Sequence, residues 1–391
     1  MLAGTARGVE YFVATNGNDS NGGTGWGDAL LTISAALAKG DVNIVTVSNG
    51  TYNISAEIGI GAGITVRSFG NGVYGGLANA SNTVVQPSGN GYRIFSMWNA
   101  SSVVEGFTIR NGNASPGCNV YMSDGQLISC IVKENRQSIS NEKGGGIYMG
   151  GGTVSNCIVR NCSTGWRNGG GIYADGGLIV GCQILNNSAA NSEESTQGGG
   201  GVYANNVTIR NCLIAGNTAY PYGAGVWLAG SSKIENCTIV ANRALSSYSA
   251  AQGAGVYRAG GTVSNSIVYF NTMAKQGSGV VGTESNIWNA GSFVYYTCTT
   301  NPVVSGSGNI SDDPLFANAA GGDYSLQYKP VKSPCIDKGA NQAWMDGAKD
   351  LAGNTRKTYG GVAGSRRSTI VDMGAYEAPE VAAEGTVVTL R

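Results

Sequence analysis

The chain has 391 residues, with 24 basic and 24 acidic side chains, no histidine, and 63 glycines against eight prolines. Zero net charge excludes the basic excess of a nucleic-acid binder. The missing imidazole excludes Ser-His-Asp and Cys-His catalysis and the usual His-containing zinc sites, leaving any chemistry to Asp, Glu, Lys, Arg, Tyr or Cys.

Residues 1–10 lack the long apolar core of a signal peptide and read as a leader remnant outside the fold. Residues 11–60 read as an N-terminal cap with the first coils. The stretch YFVATNGNDSNGGTGW is followed by DALLTISAALAKG, where Leu30, Leu31, Ile33 and Leu37 are spaced as an amphipathic helix that Gly40 stops, and then by the strand VNIVTVSNGTY. A solenoid end exposes core and unpaired strand edges, so this helix is expected to plug it.

Residues 61–300 are dominated by a repeat. GGGIYMGGGTVSNCIVRNC starts at Gly144 and returns at Gly169, Gly199, Gly223 and Gly253, with a degraded GSGVVG at Gly277 and a glycine-poor earlier copy from Asn119. Periods of roughly 20 to 50 residues signal solenoids. Each copy carries two short β-branched segments, such as Ile147-Tyr148 and Cys157-Ile158-Val159, separated by turn residues and without helical spacing. The predicted fold is therefore all-β, a parallel β-helix whose coils stack about 4.8 Å apart.

Stacking aligns equivalent residues into rows. Cys130, Cys157, Cys182, Cys212 and Cys237, continued by Ser266, form one. Two residues later come Val132, Val159, Ile184, Ile214, Ile239 and Val268, and period two puts both rows inside. Asn135, Asn187, Asn217, Asn242 and Asn271 follow a turn, with Cys162 in the same row, and predict an asparagine ladder. The cysteine column reads as buried free thiols, and the absence of CxxC pairs argues against zinc. Cys118, Cys298 and Cys335 lie off the column, and their pairing stays open. GGGIY lacks the lysine of a phosphate loop and is repeated, so its glycines read as corners. Residues 301–377 lose the repeat and read as an irregular C-terminal capping region, and 378–391 as a tail or linker. No apolar run approaches the roughly 20 residues that cross a bilayer, so no transmembrane segment is expected.

The N-terminal stretch, with Val45, Val47, Gly50, Thr51 and Tyr52, looks like the entry of secreted bacterial right-handed parallel β-helix proteins. The motifs NISDDPLF (309–316), GDYSLQ (322–327), SPCIDKGAN (333–341), DLAGNTR (350–356) and VDMGAYE (371–377) resemble those of choice-of-anchor Q proteins, in the pectate-lyase-like superfamily. The family usually has Ala where Cys335 stands. The resemblance covers nearly the whole chain and implies a right-handed, single-stranded coil exported to the extracellular space or a bacterial cell surface. It does not assign an activity, because the superfold hosts lyases, hydrolases, adhesins and inert scaffolds.

Two outward rows are candidate sites. Arg110, Lys133 and Arg160 occupy equivalent positions of successive coils, and stacked cations suit an acidic polysaccharide. In related lyases a Lys or Arg abstracts the proton α to a uronate carboxyl while a cation stabilises the enolate, which would make these three catalytic. The second row is Tyr121, Tyr148, Tyr173, Tyr203, Trp227 and Tyr257. Tyr148, Tyr173, Tyr203 and Trp227 are its substrate-binding candidates as an edge-on glycan platform, against a stabilising stack that hides the ring faces. No metal site is assigned. Calcium is the one cofactor candidate, through the loop NGNDSNGG (16–23) and Asp312, Asp313, Asp346, Asp350 and Asp372, although neither set has an EF-hand or nonapeptide spacing. The expected protein is exported, surface-associated and in contact with a polysaccharide or cell-surface glycan. A uronate-cleaving polysaccharide lyase and a structural stalk or adhesin are the alternatives.

Overall fold

The computed structural model describes residues 8–89, 91–136, 143–165, 168–189, 198–246, 251–275, 282–300, 305–357 and 370–378. The degraded repeat opening at Gly277 and nearly all of the tail lie outside these residues.

A coil visits three long sheets in turn. The first runs from Val9–Val13 to Val294–Tyr295, the second from Gly50–Ile54 to Ile267–Tyr269, and the third from Ile58–Ile60 to Ile287–Trp288. A fourth, of very short strands, starts at Ser163–Thr164. The sequence reading separated only two segments per coil, because strands of three residues carry too little periodicity to resolve a third. Pairing along the rod is parallel and in register, so Val132, Val159, Ile184, Ile214, Ile239 and Val268 face one another across successive rungs. All six are fully buried in one continuous core, where a close-packed apolar column supplies the main driving force for stacking.

The turns between strands have a shared conformation that the repeat did not announce. Leaving the first sheet, the chain passes through positive φ at Ser129, Asn156, Gly181, Asn211, Asn236, Asn265 and Tyr296. Leaving the second, it does so again at Asn111, Glu134, Asn161, Asn186, Gly216, Ala241 and Phe270. A left-handed residue bends the strand by one corner, and Asn tolerates that conformation better than other side chains except Gly. The residue after each corner then points inward.

After the first corner that residue is the cysteine. The Sγ atoms of Cys157, Cys182 and Cys212 accept the backbone N–H of Cys130, Cys157 and Cys182, each at 3.4 Å. Each thiol also donates to the carbonyl two residues back, as Cys182 does to Val180 at 3.3 Å and Cys212 to Arg210 at 3.1 Å. Ser266 repeats both bonds with its hydroxyl. The column is thus more than small apolar filling: at Cys157, Cys182, Cys212 and Ser266 the side chain satisfies a buried N–H of the preceding rung, and it adds a second donor to a carbonyl that already accepts a backbone N–H.

After the second corner the residue is asparagine. Asn187 donates to Asn217, Asn217 to Asn242, Asn242 to Asn271 and Asn271 to Asn286, all between 2.8 and 3.0 Å. Each also bonds a core carbonyl, Ile184 in the case of Asn217. Asn135 departs from the expected row. Its next rung carries Cys162, which has no amide to pair with, and Asn135 instead bonds the backbone of Ser163 in both directions.

The N-terminal helix is shorter than its pattern suggested. It spans Ile33–Leu37 behind a Thr32 cap, buries Ile33 and Ala36 against the first coils, and leaves Leu31 exposed. Leu30 is buried, but as a bridge partner of Val13 ahead of the helix.

The C-terminal segment lies along the side of the rod. Phe316, Leu326, Cys335, Ile336 and Met373 pack on the outward residues Leu213, Ala215, Val240, Ile267 and Tyr269 of the second sheet. Corner asparagines hold it by their outward side chains: Asn211 donates to the carbonyl of Lys349, Asn236 to that of Asp372 and Asn265 to that of Ala340. Arg356, also closed to solvent, donates to Glu377 at 2.7 Å, to the Gly374 carbonyl at 3.0 Å and to Asn211.

Candidate functional site

Arg110, Lys133 and Arg160 end three successive strands of the second sheet and are in direct register. Each follows an inward residue, Ile109, Val132 or Val159, so the pleat turns all three outward. At the parallel-strand spacing their Cα atoms are about 4.8 Å apart. Arg110 is steadied by Gln86, whose Oε1 accepts from its Nε at 2.8 Å, and Gln86 in turn bonds Asn53 one rung further. Lys133 pairs with the neighbouring Glu134 at 3.2 Å. Among the described residues Arg160 is exposed and has no carboxylate partner. Three stacked cations thus face one carboxylate, which leaves the strip with a surplus positive charge.

The same outward row continues beyond Arg160 as Leu185, Ala215, Val240 and Tyr269. Here the C-terminal segment covers the sheet. At the other side Thr108 is buried by its bond to the Ala80 carbonyl of the short helix Gly76–Ala80. Between these two covers, among the described residues, Arg160 is exposed and Arg110 and Lys133 are half-buried, with the half-buried Ile131 and Ile158 beside them. Hydrophobic faces flanked by charge can receive a sugar ring together with its carboxylate.

The aromatic row lies on the outside of the third sheet. Tyr121, Tyr148, Tyr173 and Tyr203 stack with centroids 5.3, 5.5 and 4.6 Å apart and planes within 7° of parallel, followed by Trp227, Tyr257 and Trp288. Each ring face is therefore occupied by its neighbours. Tyr173, Tyr203 and Trp227 are only 5, 9 and 8% exposed, and burial raises the phenol pKa of both tyrosines. Lys143 sits over Tyr173 and Tyr222 packs against Tyr257. Tyr148, half-buried and bonded to Asp175, keeps an accessible edge.

The oxygen-rich segments named for calcium are occupied by local bonds. Asp19 caps the backbone of Leu31 and Thr32, and Asn18 bonds Ser20. Asp350 accepts from Ala352, Asn354 and Glu377, Asp372 from Asp337 and Ala378, Asp313 from Leu315, and Asp346 pairs with Lys357. Among the described residues no three acidic or thiol side chains converge as a cation site. Burial pushes Asp372 up to about 6 and Glu377 up to about 8.

An aromatic patch escaped the sequence reading. Phe12, Trp26, Phe69 and Tyr74 touch at the N-terminal end of the first sheet, with Trp26 and Tyr74 exposed and the Arg67 guanidinium 3.8 Å over Tyr74. Its members are scattered over some sixty residues outside the repeat, so no row could reveal it.

Stacked in-register coils, with one flank charged along part of its length and clothed by the C-terminal segment along the rest, define a parallel β-solenoid that carries its candidate site on the side. Residues 93–294 match the right handed beta helix region family, and the chain belongs to it. No curated protein sequence matches the chain. Among solved structures it is similar to the pectate lyase Pel9A, at 16% identity and a TM-score of 0.58 over 95% of this chain and 96% of that one. A looser likeness is to the pectin methylesterase PemA from Erwinia chrysanthemi, at 10% identity and a TM-score of 0.35, over 71% of this chain and 92% of that one. These likenesses concern the course of the backbone. No helix among the described residues is long and apolar enough to cross a membrane.

Proposed function

We propose that the protein is an exported, surface-associated solenoid that binds an acidic polysaccharide along the cation row of the second sheet. The carrying observation is the in-register row Arg110, Lys133 and Arg160, partly exposed on the stretch of that face that the C-terminal segment does not pack on among the described residues. A polymer with carboxylates at regular intervals gains from a regular ladder of cations, because each added contact is intramolecular once the first has formed. The aromatic row stiffens the third sheet and, among the candidates Tyr148, Tyr173, Tyr203 and Trp227, leaves Tyr148 alone half-exposed to a glycan. The resemblance of the C-terminal motifs to choice-of-anchor Q proteins supports export and attachment at a bacterial surface.

The test is titration with polygalacturonate, alginate and a neutral polymer as control, read by calorimetry at low and high salt. Binding of the uronates alone, weakened by salt and reduced in Lys133→Ala and Arg160→Ala, is the expected result. Equal binding of the neutral polymer, or uronate binding indifferent to both substitutions, would overturn the proposal.

A catalytic version rests on the position of Lys133 between two arginines. Lys133 would take the proton α to the uronate carboxyl, Arg110 and Arg160 would stabilise the enolate, and the Lys133 ammonium so formed would pass that proton to the glycosidic oxygen as its bond to carbon breaks and the double bond forms. Pectate lyase activity in a protein of like fold supports asking the question. Incubation with uronate polymers, with and without calcium, is read by the ultraviolet absorbance of unsaturated products. An unchanged absorbance on every polymer that binds rejects lyase activity and leaves binding.

A further inference from the structure

We infer that Cys298 and Cys335 are the two halves of a disulfide that fastens the C-terminal segment to the last rung of the rod. The inward column of cysteines ends in Ser266 and then Thr297, whose hydroxyl bonds the carbonyl of Tyr295 as each column thiol bonds its own. Cys298 is the next residue. Its backbone N–H bonds Ser266 and it bridges Ile267, which makes it the last outward residue of the second sheet, in line with Ile267 and Thr238.

That outward side is where the C-terminal segment lies. Cys335 belongs to the segment, with its N–H on Ser333 and its carbonyl accepting from Met373. Both cysteines are fully buried and members of the same apolar cluster; the Cys298 thiol donates to the carbonyl of Asp312 at 3.3 Å, and the neighbouring Cys335 thiol together with burial pushes its pKa up. The two side chains approach from opposite sides of an interface. In the column, by contrast, neighbouring side chains point the same way from parallel strands, and the sulfurs of Cys157, Cys182 and Cys212 each accept a backbone N–H. Converging Cβ vectors are what a disulfide needs. The column fails that condition, whereas Cys298 and Cys335 come from separate segments that meet in one buried cluster.

The oxidant is a small-molecule disulfide such as oxidised glutathione, met during folding before the segment closes. One cysteine thiolate attacks a glutathione sulfur and expels a glutathione thiolate, giving a mixed disulfide. The second thiolate attacks the cysteine sulfur of that bond and expels the other glutathione. Two thiols lose two protons and two electrons in total, and one glutathione disulfide becomes two glutathiones.

The experiment refolds the full chain with oxidised or with reduced glutathione, confirms native circular dichroism, unfolds it without reductant and alkylates it for peptide mass spectrometry. Of the nine cysteines, seven are expected to be alkylated after oxidative refolding, with the Cys298 and Cys335 peptides cross-linked, and nine after reductive refolding. Cys298→Ala and Cys335→Ala should each show eight alkylated thiols under both conditions, and the oxidised wild type should release its C-terminal segment to trypsin more slowly than either variant. Nine alkylated thiols in oxidatively refolded native protein, a cross-link between other cysteines, or identical trypsin release in wild type and variants would overturn the inference.

Discussion

Arg356 donates to Glu377 at 2.7 Å from a position closed to solvent, and its second amino group reaches Asn211 on the rod. A corner that the solenoid needs for its own turning, Asn211 at positive φ, therefore also anchors the segment clothing its flank. Removing the buried guanidinium takes the donor from Glu377, Asn211 and the Gly374 carbonyl at once, at a cost of about 1–3 kcal/mol for groups left unsatisfied. Arg356→Met should lower the denaturation midpoint accordingly and expose residues 340–357 and 370–378 to hydrogen exchange before the core. Exchange that remains uniform along the chain would show that the ion pair does not hold the segment.

The carboxylates of this network give a pH dependence. Burial raises Asp372 to about 6 and Glu377 to about 8, above their unfolded values. A group raised on folding contributes stability that is fully present below its unfolded pKa and is lost as pH rises through the folded one. The stabilising contribution of Asp372 is thus lost between about pH 4 and 6, and that of Glu377 between about pH 4.5 and 8. Wild type minus Asp372→Asn, measured as a difference in unfolding free energy, isolates one group and should fall across the first window. A difference that climbs with pH would reverse the sign assigned to burial.

The cysteine column predicts that polarity at its rungs matters less than hydrogen bonding. Cys182 accepts from Cys157 and donates to Val180, and Ser266 shows that a hydroxyl serves equally. Cys182→Ser should change stability little, whereas Cys182→Ala strands the buried N–H of Cys157, the Val180 carbonyl keeping its bond from Asn156, and should cost about 1–3 kcal/mol. Equal losses in the two variants, by urea unfolding, would reduce the column to packing alone.

What the sequence disclosed and what it hid follow one physical divide. Rows such as Val132, Val159 and Ile184 are visible because identical backbone environments select similar side chains at fixed intervals, and the register of Arg110, Lys133 and Arg160 follows from that alignment. The corners were less legible, because Glu134 and Phe270 take the same left-handed turn as Asn161. Contacts without a period were invisible: nothing in DLAGNTR or VDMGAYE says that Arg356 meets Asn211, across 145 residues of chain. Whether the cation row is covered or bare depends on that contact, so the site could be aligned from sequence but its openness could not.

The asparagine ladder predicts a gradient of cost along the rod. Asn217 accepts from the backbone and the side chain of Asn187, donates to Ile184 and donates to Asn242. Asn135, outside the ladder, makes two bonds to Ser163 near the surface. At about 1 kcal/mol per bond, with more for each buried group left bare, Asn217→Ala should cost several times as much as Asn135→Ala. Losses of equal size would mean that the ladder's bonds replace those to water without net gain.

Arg160 is the informative member of the cation row because it lacks a carboxylate partner among the described residues, while Lys133 carries Glu134 and Arg110 leans on Gln86. Reversing its charge leaves the inward Val159 in place, so the coil should fold with an unchanged melting temperature. For a bound polyuronate, Arg160→Glu turns one attraction into a repulsion between neighbouring cations, which at an exposed site with effective dielectric screening amounts to about 1–2 kcal/mol. Affinity should fall roughly tenfold or slightly more, and the salt dependence of binding should weaken alongside it. Gln183→Lys, one rung further and outward in the adjoining row of Ile158, should act in the opposite direction by adding a cation beside the strip. If affinity ignores both changes, uronates do not bind through this row, and the candidate site moves to the exposed aromatic patch of Trp26 and Tyr74.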